Sequence, residues 1–178
     1  VAGLAIGLTM PSVKAVKYRG GEYGVEYPDK TIRPAQVYAN QISDKYSMKV
    51  DPAAKQQLGE KTFNEVMAFF HSAEMAIETK DLGALMSLYS ERYSDGEHDK
   101  KSARQIWERM FATFDDMAMH HNMKLQKASA DKTMVVFQCS GLLLGVPDLK
   151  KGPITIDNWT TQDHVLVKEG GKWKLIGT

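Results

Sequence analysis

Apolar residues recur at helical spacing in three stretches of the chain after residue 60. The first stretch begins with a capping-box sequence at residues 62–65, Thr-Phe-Asn-Glu, and two shorter stretches cover residues 82–89 and 103–114. Positions three and four residues apart lie on one face of a helix, so each stretch predicts an amphipathic helix. The first buried face is formed by Phe63, Val66, Met67, Phe70, Ala73 and Ile77.

The apolar spacing changes from a helical period to a period of two after Asp116. Apolar and polar residues alternate over residues 117–125, which is typical of a strand with one buried face. Residues 133–144 predict a strand that is apolar on both faces, and residues 159–168 and 173–177 predict a closing hairpin. Helices followed by such strands indicate an α+β domain in which three N-terminal helices pack on an antiparallel sheet.

Residues 1–60 differ from the rest of the chain in composition and spacing. Beyond residue 10 they show no sustained helical or strand period, and they contain no Phe or Trp. Residues 1–10 are apolar, and Val13 and Ala15 occupy positions typical of a signal-peptide cleavage site. The sequence therefore predicts an apolar signal-like or anchor segment (1–15), an extended Tyr- and Pro-rich arm (16–60) and a folded domain (61–178). This organisation indicates an exported protein, periplasmic or extracytoplasmic, with a membrane anchor if the first segment is retained.

The arm carries five of the seven tyrosines of the chain. An extended segment without its own core has to be buried against another surface, which is either its own domain or another subunit. Tyrosine suits such contacts because its ring is apolar and its hydroxyl is polar. We expect contacts with other protein subunits through residues 1–60 and membrane contact through residues 1–10, and a homodimer is left open. The expected partner-binding residues are Tyr18, Tyr23, Tyr27, Tyr38 and Tyr46.

Two segments of the folded domain carry a family resemblance. Residues 76–90 (AIETKDLGALMSLYS) resemble the opening helices of the nuclear transport factor 2-like superfamily, which includes SnoaL-like polyketide cyclases and ketosteroid isomerases. Residues 163–176 (DHVLVKEGGKWKLI) resemble its closing hairpin. The resemblance covers about residues 61–178 and implies a curved antiparallel sheet, wrapped into a cone and closed by helices over an apolar pocket. Because this fold hosts enzymes, ligand binders and assembly modules, the resemblance leaves the function open.

Charge and composition narrow the classes of function and of cofactor. The chain has 23 basic and 22 acidic residues, and this balance argues against a nucleic-acid partner. Cys139 is the only cysteine, which excludes an intrachain disulfide and a multi-cysteine metal site. His71 and Glu74 lie one turn apart on the first predicted helix, but a zinc site needs a further ligand. No phosphate-binding glycine loop is present, so we expect no metal and no cofactor.

Three polar side chains are candidates for chemistry in the apolar pocket. The enzymes that the domain resembles place an Asp base and a Tyr or Asp hydrogen-bond donor inside the cone. By alternation Asp163 shares the strand face of Trp159, where a raised pKa would suit proton abstraction. His121 lies on the apolar face of its strand, and Tyr89 ends the apolar face of the second helix. In the other interpretation, His121 and Tyr89 are core residues and Asp163 is solvated. The expected ligand-binding residues are Met119, His121, Phe137 and Trp159.

The arm favours a non-catalytic accessory or binding subunit of a larger, membrane-associated extracytoplasmic assembly. The alternative is a SnoaL-like enzyme or carrier that binds a small apolar ligand in the cone pocket, with Asp163, His121 and Tyr89 as its catalytic residues if it is an enzyme. The pocket distinguishes the two hypotheses. An open cavity around convergent polar groups favours the alternative, whereas a pocket filled by side chains favours the accessory subunit.

Overall fold

The structure, a computed structural model, describes the backbone of residues 14–17, 23–26, 32–34, 46–147 and 154–178, and the side chains of residues 48–147 and 154–178. Residues 1–13 lie outside the described residues, as do Tyr18, Tyr27 and Tyr38, so the anchor segment and the tyrosine contacts stay predictions. Tyr23 and Tyr46 each begin a strand. In the described part of the chain, no helix is both long enough and apolar enough to cross a membrane.

The described residues form four helices and nine strands. The helices are α1 (Ala53–Leu58), α2 (Glu60–Glu78), α3 (Leu82–Ser87) and α4 (Lys100–Thr113). The strands are β1 (Lys14–Lys17), β2 (Tyr23–Glu26), β3 (Ile32–Pro34), β4 (Tyr46–Val50), β5 (Tyr89–Ser94), β6 (Asp116–Ala128), β7 (Met134–Val146), β8 (Ile154–Glu169) and β9 (Lys172–Gly177). The predicted α+β class is confirmed.

The main sheet has six strands in the order β4-β6-β7-β8-β9-β5. Its four central strands pair antiparallel, as predicted, but β4 runs parallel to β6 and β5 runs parallel to β9. The sheet is therefore mixed, because both outer strands reach it through long connections that contain helices. Strands β1, β2 and β3 form a separate antiparallel sheet within the arm.

Two local predictions differ from the structure. Helix α2 begins at Glu60 behind Gly59, and the carboxylate of Glu65 does not close a capping box. It accepts hydrogen bonds from Lys168 Nζ at 2.7 Å and from Trp173 Nε1 at 3.1 Å, which ties α2 to the closing hairpin. The helix predicted over residues 82–89 ends at Ser87, and Tyr89 already begins strand β5, because Tyr93 is buried and the strand pairs with β9.

Strand β4 and helix α1 join the sheet and the core, although the sequence analysis starts the folded domain at residue 61. Residues 46–50 pair with residues 119–123 of β6. The side chains of Ala54 and Leu58 in α1 are fully buried in the main core. This part of the predicted arm therefore contributes a strand and a helix to the same structural unit.

One face of the sheet and the helices α2, α3 and α4 enclose the hydrophobic core. Phe70 of α2 meets Phe137 of β7 edge to face, with 5.9 Å between the ring centroids. Trp107 of α4 is fully buried, and its Nε1 donates a hydrogen bond to the hydroxyl of Tyr89. Burying each such ring contributes roughly 1.5–3 kcal/mol, so these contacts hold the helices on the sheet.

A β-bulge in β8 changes which residues face the core. Cys139 pairs with Gln162 and Gly141 pairs with Trp159, so two steps along β7 match three steps along β8. An extra residue shifts the alternation of inward and outward side chains by one position. Trp159 is buried before the bulge, and His164 rather than Asp163 is buried after it.

Trp159 lies so close to β7 that only glycine fits opposite it. A Cβ atom at Gly141 would lie 2.3 Å from Cζ2 of Trp159 and 2.6 Å from the backbone oxygen of His120. Both distances are far below van der Waals contact, and the backbone oxygen cannot move without breaking the pairing of β6 with β7. Gly141 therefore allows the indole to lie on the inner face of the sheet.

We expect Gly141→Ala to lower the free energy of unfolding by about 1–3 kcal/mol, because the new methyl group overlaps a ring and a carbonyl. Gly83→Ala in α3 is the matched control, since its Cβ would meet only the Asp81 side chain, at 3.4 Å. The control should be neutral or stabilising by up to about 1 kcal/mol. Urea titration measures both values, and equal stabilities would contradict the close contact of Trp159 with Gly141.

Candidate functional site

The candidate site centres on a buried hydrogen bond between helix α2 and strand β6. Nε2 of His121 lies 3.0 Å from Oε1 of Glu74, and the two side chains are 1% and 9% exposed. An ionised carboxylate only accepts hydrogen bonds, so His121 donates its Nε2–H to Glu74. This leaves Nδ1 of His121 as the nitrogen with a lone pair, and Nδ1 is buried with no hydrogen-bond partner among the described residues.

The surroundings keep Glu74 ionised and His121 neutral. Burial alone would raise the pKa of Glu74, but the hydrogen bond from His121 and the electrostatic influence of the neighbouring imidazoles outweigh burial, so the net pKa lies below its usual value. Burial lowers the pKa of His121, and the hydrogen bond with Glu74 only partly opposes this effect. His121 is thus a neutral imidazole that can accept a proton, and the carboxylate of Glu74 beside it can stabilise the protonated form. These two properties are those of a general base.

A second imidazole lies in the same part of the core. His164 of β8 is fully buried, and neither of its ring nitrogens has a hydrogen-bond partner in the described part of the chain. Burial lowers its pKa well below the usual value, so it is neutral. The ring of Phe70 packs against both imidazoles, with its centroid 6.4 Å from that of His121 and 6.3 Å from that of His164. Two neutral imidazoles with open nitrogens therefore converge on one phenyl ring.

Glu74 also has a contact outside the core. Its second oxygen, Oε2, lies 3.2 Å from Nδ1 of His71, one helical turn earlier on α2. The side chain of His71 is 69% exposed, in contrast to the closed side chain of His121. One carboxylate therefore contacts a buried imidazole with one oxygen and an exposed imidazole with the other.

The structure does not bring Asp163, His121 and Tyr89 together. Asp163 is exposed and lines a surface groove of about 500 Å³, together with Asp95, Gln138 and Gln162 among others. Tyr89 is buried against Tyr93, with 4.8 Å between ring centroids, and its hydroxyl accepts the hydrogen bond from Trp107. Burial raises the pKa of Tyr89 well above its usual value. His121 is the member of the expected trio that has a buried carboxylate partner.

The expected ligand-binding residues share the inner side of the sheet. Met119, His121, Phe137 and Trp159 are all buried there. Nε1 of Trp159 lies 3.3 Å from Sγ of Cys139, and burial raises the pKa of that thiol. Side chains occupy the space at this level, which by the criterion of an open cavity favours the accessory subunit, whereas the unpartnered imidazole nitrogens of His121 and His164 favour the alternative.

The sequence pattern identifies His121, but it does not identify Glu74 as its partner or His164 as its neighbour. Glu74 and His121 are 47 residues apart, so no local spacing links them. His164 follows Asp163 directly, and alternation counted from Trp159 selects the wrong neighbour because of the bulge. The spacing of His71 and Glu74 was visible on the predicted helix, but its meaning depends on the buried third member.

No group of three or more His, Cys, Asp or Glu side chains able to hold a metal ion occurs among the described residues. The imidazoles of His121 and His164 and the carboxylate of Glu74 can each bind or release a proton. The pair of Asp95 and His98, 3.1 Å apart at the surface groove, is separate from them.

No protein-family model matches the sequence, and no curated protein matches it either. Solved structures do match. A candidate scytalone dehydratase of Novosphingobium aromaticivorans DSM 12444 is 12% identical with a TM-score of 0.57, over 68% of this chain and 84% of that one. The hexachlorocyclohexane dehydrochlorinase LinA-type3 of Novosphingobium barchaimii LL02 is 13% identical with a TM-score of 0.52, over 68% and 86%.

Bd1075 of Bdellovibrio bacteriovorus is also similar, at 13% identity and a TM-score of 0.51 over 64% of this chain, and the chain spans 38% of that protein. At such identities the likeness concerns the fold alone. It agrees with the α+β architecture and with the resemblance of residues 76–90 and 163–176. The chain has the nuclear transport factor 2-like cone fold.

Proposed function

We propose that this domain is a small enzyme that removes a proton from a carbon atom of a small, largely apolar substrate, and that the reaction is a β-elimination. The observation that carries the proposal is the buried hydrogen bond of His121 with Glu74, which leaves Nδ1 of His121 without a partner. The alternative hypothesis of the sequence analysis is thereby preferred. The comparisons give the accessory-subunit hypothesis no support.

His121 acts as the base in this proposal. Its Nδ1 takes the proton of the substrate C–H bond, and the carboxylate of Glu74 stabilises the imidazolium ion through Nε2. The electron pair of the C–H bond forms a carbon–carbon double bond, while the bond from the adjacent carbon to the leaving group breaks. A hydroxide leaving group takes the proton back from His121 and departs as water, which returns the imidazole to its neutral form. A halide leaving group departs as the anion, and the imidazolium ion of His121 then releases its proton to water once the product has left.

His164 contacts the leaving group in this proposal. It is neutral and buried, and both of its nitrogens are open in the described part of the chain, so its N–H can donate a hydrogen bond to a departing oxygen or halide. A donor in an apolar, water-free surrounding stabilises developing charge better than the same donor in water. The names of the similar structures, a candidate dehydratase and a dehydrochlorinase, agree with hydroxide or halide as leaving group.

Substrate entry has to open the site, since His121 is 2% exposed and His164 is fully buried. Phe70 is the ring that packs against both imidazoles, so a substrate that reaches them has to contact Phe70. The lining by Phe70, Phe137 and Met119 favours a small apolar substrate, because a charged substrate would have to lose its hydration there.

We expect His121→Gln to lower the rate of proton abstraction by about 10²–10⁴-fold, because the base is removed. Glu74→Gln should lower it less, since the imidazole remains but its charged partner is lost. The assay follows deuterium uptake and alkene formation by NMR in D₂O, with β-hydroxy ketones and chlorinated cyclohexanes as probes. Circular dichroism checks that the variants fold. Binding of the probes without exchange in wild-type protein would favour a carrier instead.

Asp163→Asn separates this proposal from the sequence-based assignment of Asp163 as the base. Asp163 is exposed and lines the surface groove, so the variant should react at the wild-type rate. A loss comparable to that of His121→Gln would return Asp163 to the mechanism and contradict the assignment of His121.

The two buried imidazoles are neutral, as the mechanism requires, and their lowered pKa values make the stability of the protein depend on pH. The folded-state pKa values of His121 and His164 lie below the usual histidine value of about 6.5, so between those values the unfolded chain binds protons that the folded chain does not. Stability is therefore fully present above pH 6.5 and falls as the pH drops below it, by about 1 kcal/mol per pH unit and histidine.

His164→Leu should flatten this loss of stability between pH 6.5 and about 5, because one of the two buried imidazoles is gone. The depressed pKa values of Asp95 and Asp99 stabilise the folded protein. This stabilisation is lost only as the pH falls through the usual aspartate value of about 3.9 and below it, which lies outside this window. Urea titrations at several pH values measure the slope. Parallel curves for wild type and variant would mean that His164 takes up protons in the folded protein.

A further inference from the structure

We propose that His71 is a positioning residue that sets the basicity of the buried Glu74–His121 pair from the protein surface. The inference rests on the proposed function, because it assigns a control to the same base. It starts from the shared carboxylate, in which Oε1 contacts His121 at 3.0 Å and Oε2 contacts His71 at 3.2 Å.

The geometry of α2 holds His71 beside Glu74. His71 and Glu74 are three residues apart on α2, so their side chains lie on one face of the helix, one turn apart. A carboxylate that is bound at both oxygens has a fixed plane, and this fixes the direction in which Oε1 meets His121. Without the contact to His71, Glu74 can rotate about its terminal bond and present a different angle to the buried ring.

The three side chains differ in their access to solvent. The side chain of His121 is 1% exposed and that of Glu74 is 9% exposed, whereas that of His71 is 69% exposed. His71 is therefore the member of the three that solvent reaches freely. Among the described residues, the carboxylate of Glu74 joins this solvent-facing group to the buried base directly.

The charge of His71 determines whether the basicity of His121 rises or falls. A protonated His71 places a positive charge next to Glu74 and thereby stabilises the carboxylate. It also repels a proton on His121, because the two imidazoles share one counter-ion. The base is therefore weaker when the surface is protonated, and it regains its strength when His71 is neutral.

Other charged groups around the two imidazoles are few. Asp81 and His71 line a second groove, separate from the surface groove at Asp163. The carboxylate of Asp81 accepts a hydrogen bond from the N–H of Ala84 and so caps α3. His164 and His120 lie near His121, and both have buried nitrogens without a partner among the described residues. Neither Asp81 nor His120 contacts Glu74, so the carboxylate transmits the effect of His71.

The experiment measures the protonation and the tautomer of His121 directly, by nitrogen-15 NMR of the imidazole rings in the full chain without ligand. His71→Gln keeps a hydrogen-bond donor for Glu74 but removes the charge, and His71→Ala removes both. Glu78→Gln is the control, since it changes the charge of the same exposed helix face by one without a contact to Glu74. Thermal melting checks that each variant folds.

In both His71 variants we expect the midpoint of the His121 titration to rise by about 0.5–1 pH unit, because a nearby positive charge is removed. His71→Gln should keep the Nε2–H tautomer of His121, whereas His71→Ala should yield a mixture of both tautomers. The Glu78→Gln variant should titrate like wild type. An unchanged titration of His121 in His71→Ala would overturn the proposal, and so would an equal shift in Glu78→Gln.

The result is independent of the proposed reaction. If wild-type protein turns over none of the probes, the proposed function fails, and the NMR titration still decides whether His71 controls His121. If turnover is found, the acidic limb of the kcat/KM profile should move to higher pH in His71→Gln together with the titration. A drop in rate with an unchanged titration and tautomer would show that His71 acts by another route, and this outcome also overturns the proposal.

Discussion

The ionised carboxylate of Glu74 needs a partner in the interior, since a buried charge left alone would lose its hydration without compensation, and His121 is that partner. Their hydrogen bond fixes the register of α2 over β6, and the aromatic contacts of Phe70 follow from that placement. A buried, hydrogen-bonded pair of this kind adds little net stability compared with apolar residues of the same shape. The proposed function gives this pair a role in proton abstraction in addition to its part in packing.

The sheet supplies the rest of the site through one irregularity. The bulge in β8 turns His164 toward the core and Asp163 toward solvent, and Gly141 makes room for Trp159 beside it. Without the extra residue, an aspartate would lie where the second imidazole lies now. Two imidazoles and one carboxylate are consequently among the buried polar groups in the described part of the chain. Burial lowers the pKa values of the two imidazoles, whereas the hydrogen bond from His121 helps to keep the pKa of Glu74 low against the effect of burial.

The shared carboxylate of Glu74 connects this interior to the surface. A short helical spacing provides the outer contact with His71, and the packing of α2 on the sheet provides the inner contact with His121. In the proposed control by His71, this carboxylate carries the effect of the surface group to the closed, apolar site. It also explains why the cone fold of this chain is compatible with acid–base chemistry as well as with ligand binding.

Apolar spacing determined the helices α2, α3 and α4, the strands β6 to β9 and the α+β class, because burial of one face is a local property of the sequence. It also selected His121. The tertiary structure alone decided the parallel outer strands, the entry of β4 and α1 into the core and the partner of His121. Alternation along β8 could not identify His164, since a bulge is set by how two strands pair and where Trp159 fits, and neither is encoded in the spacing of one strand.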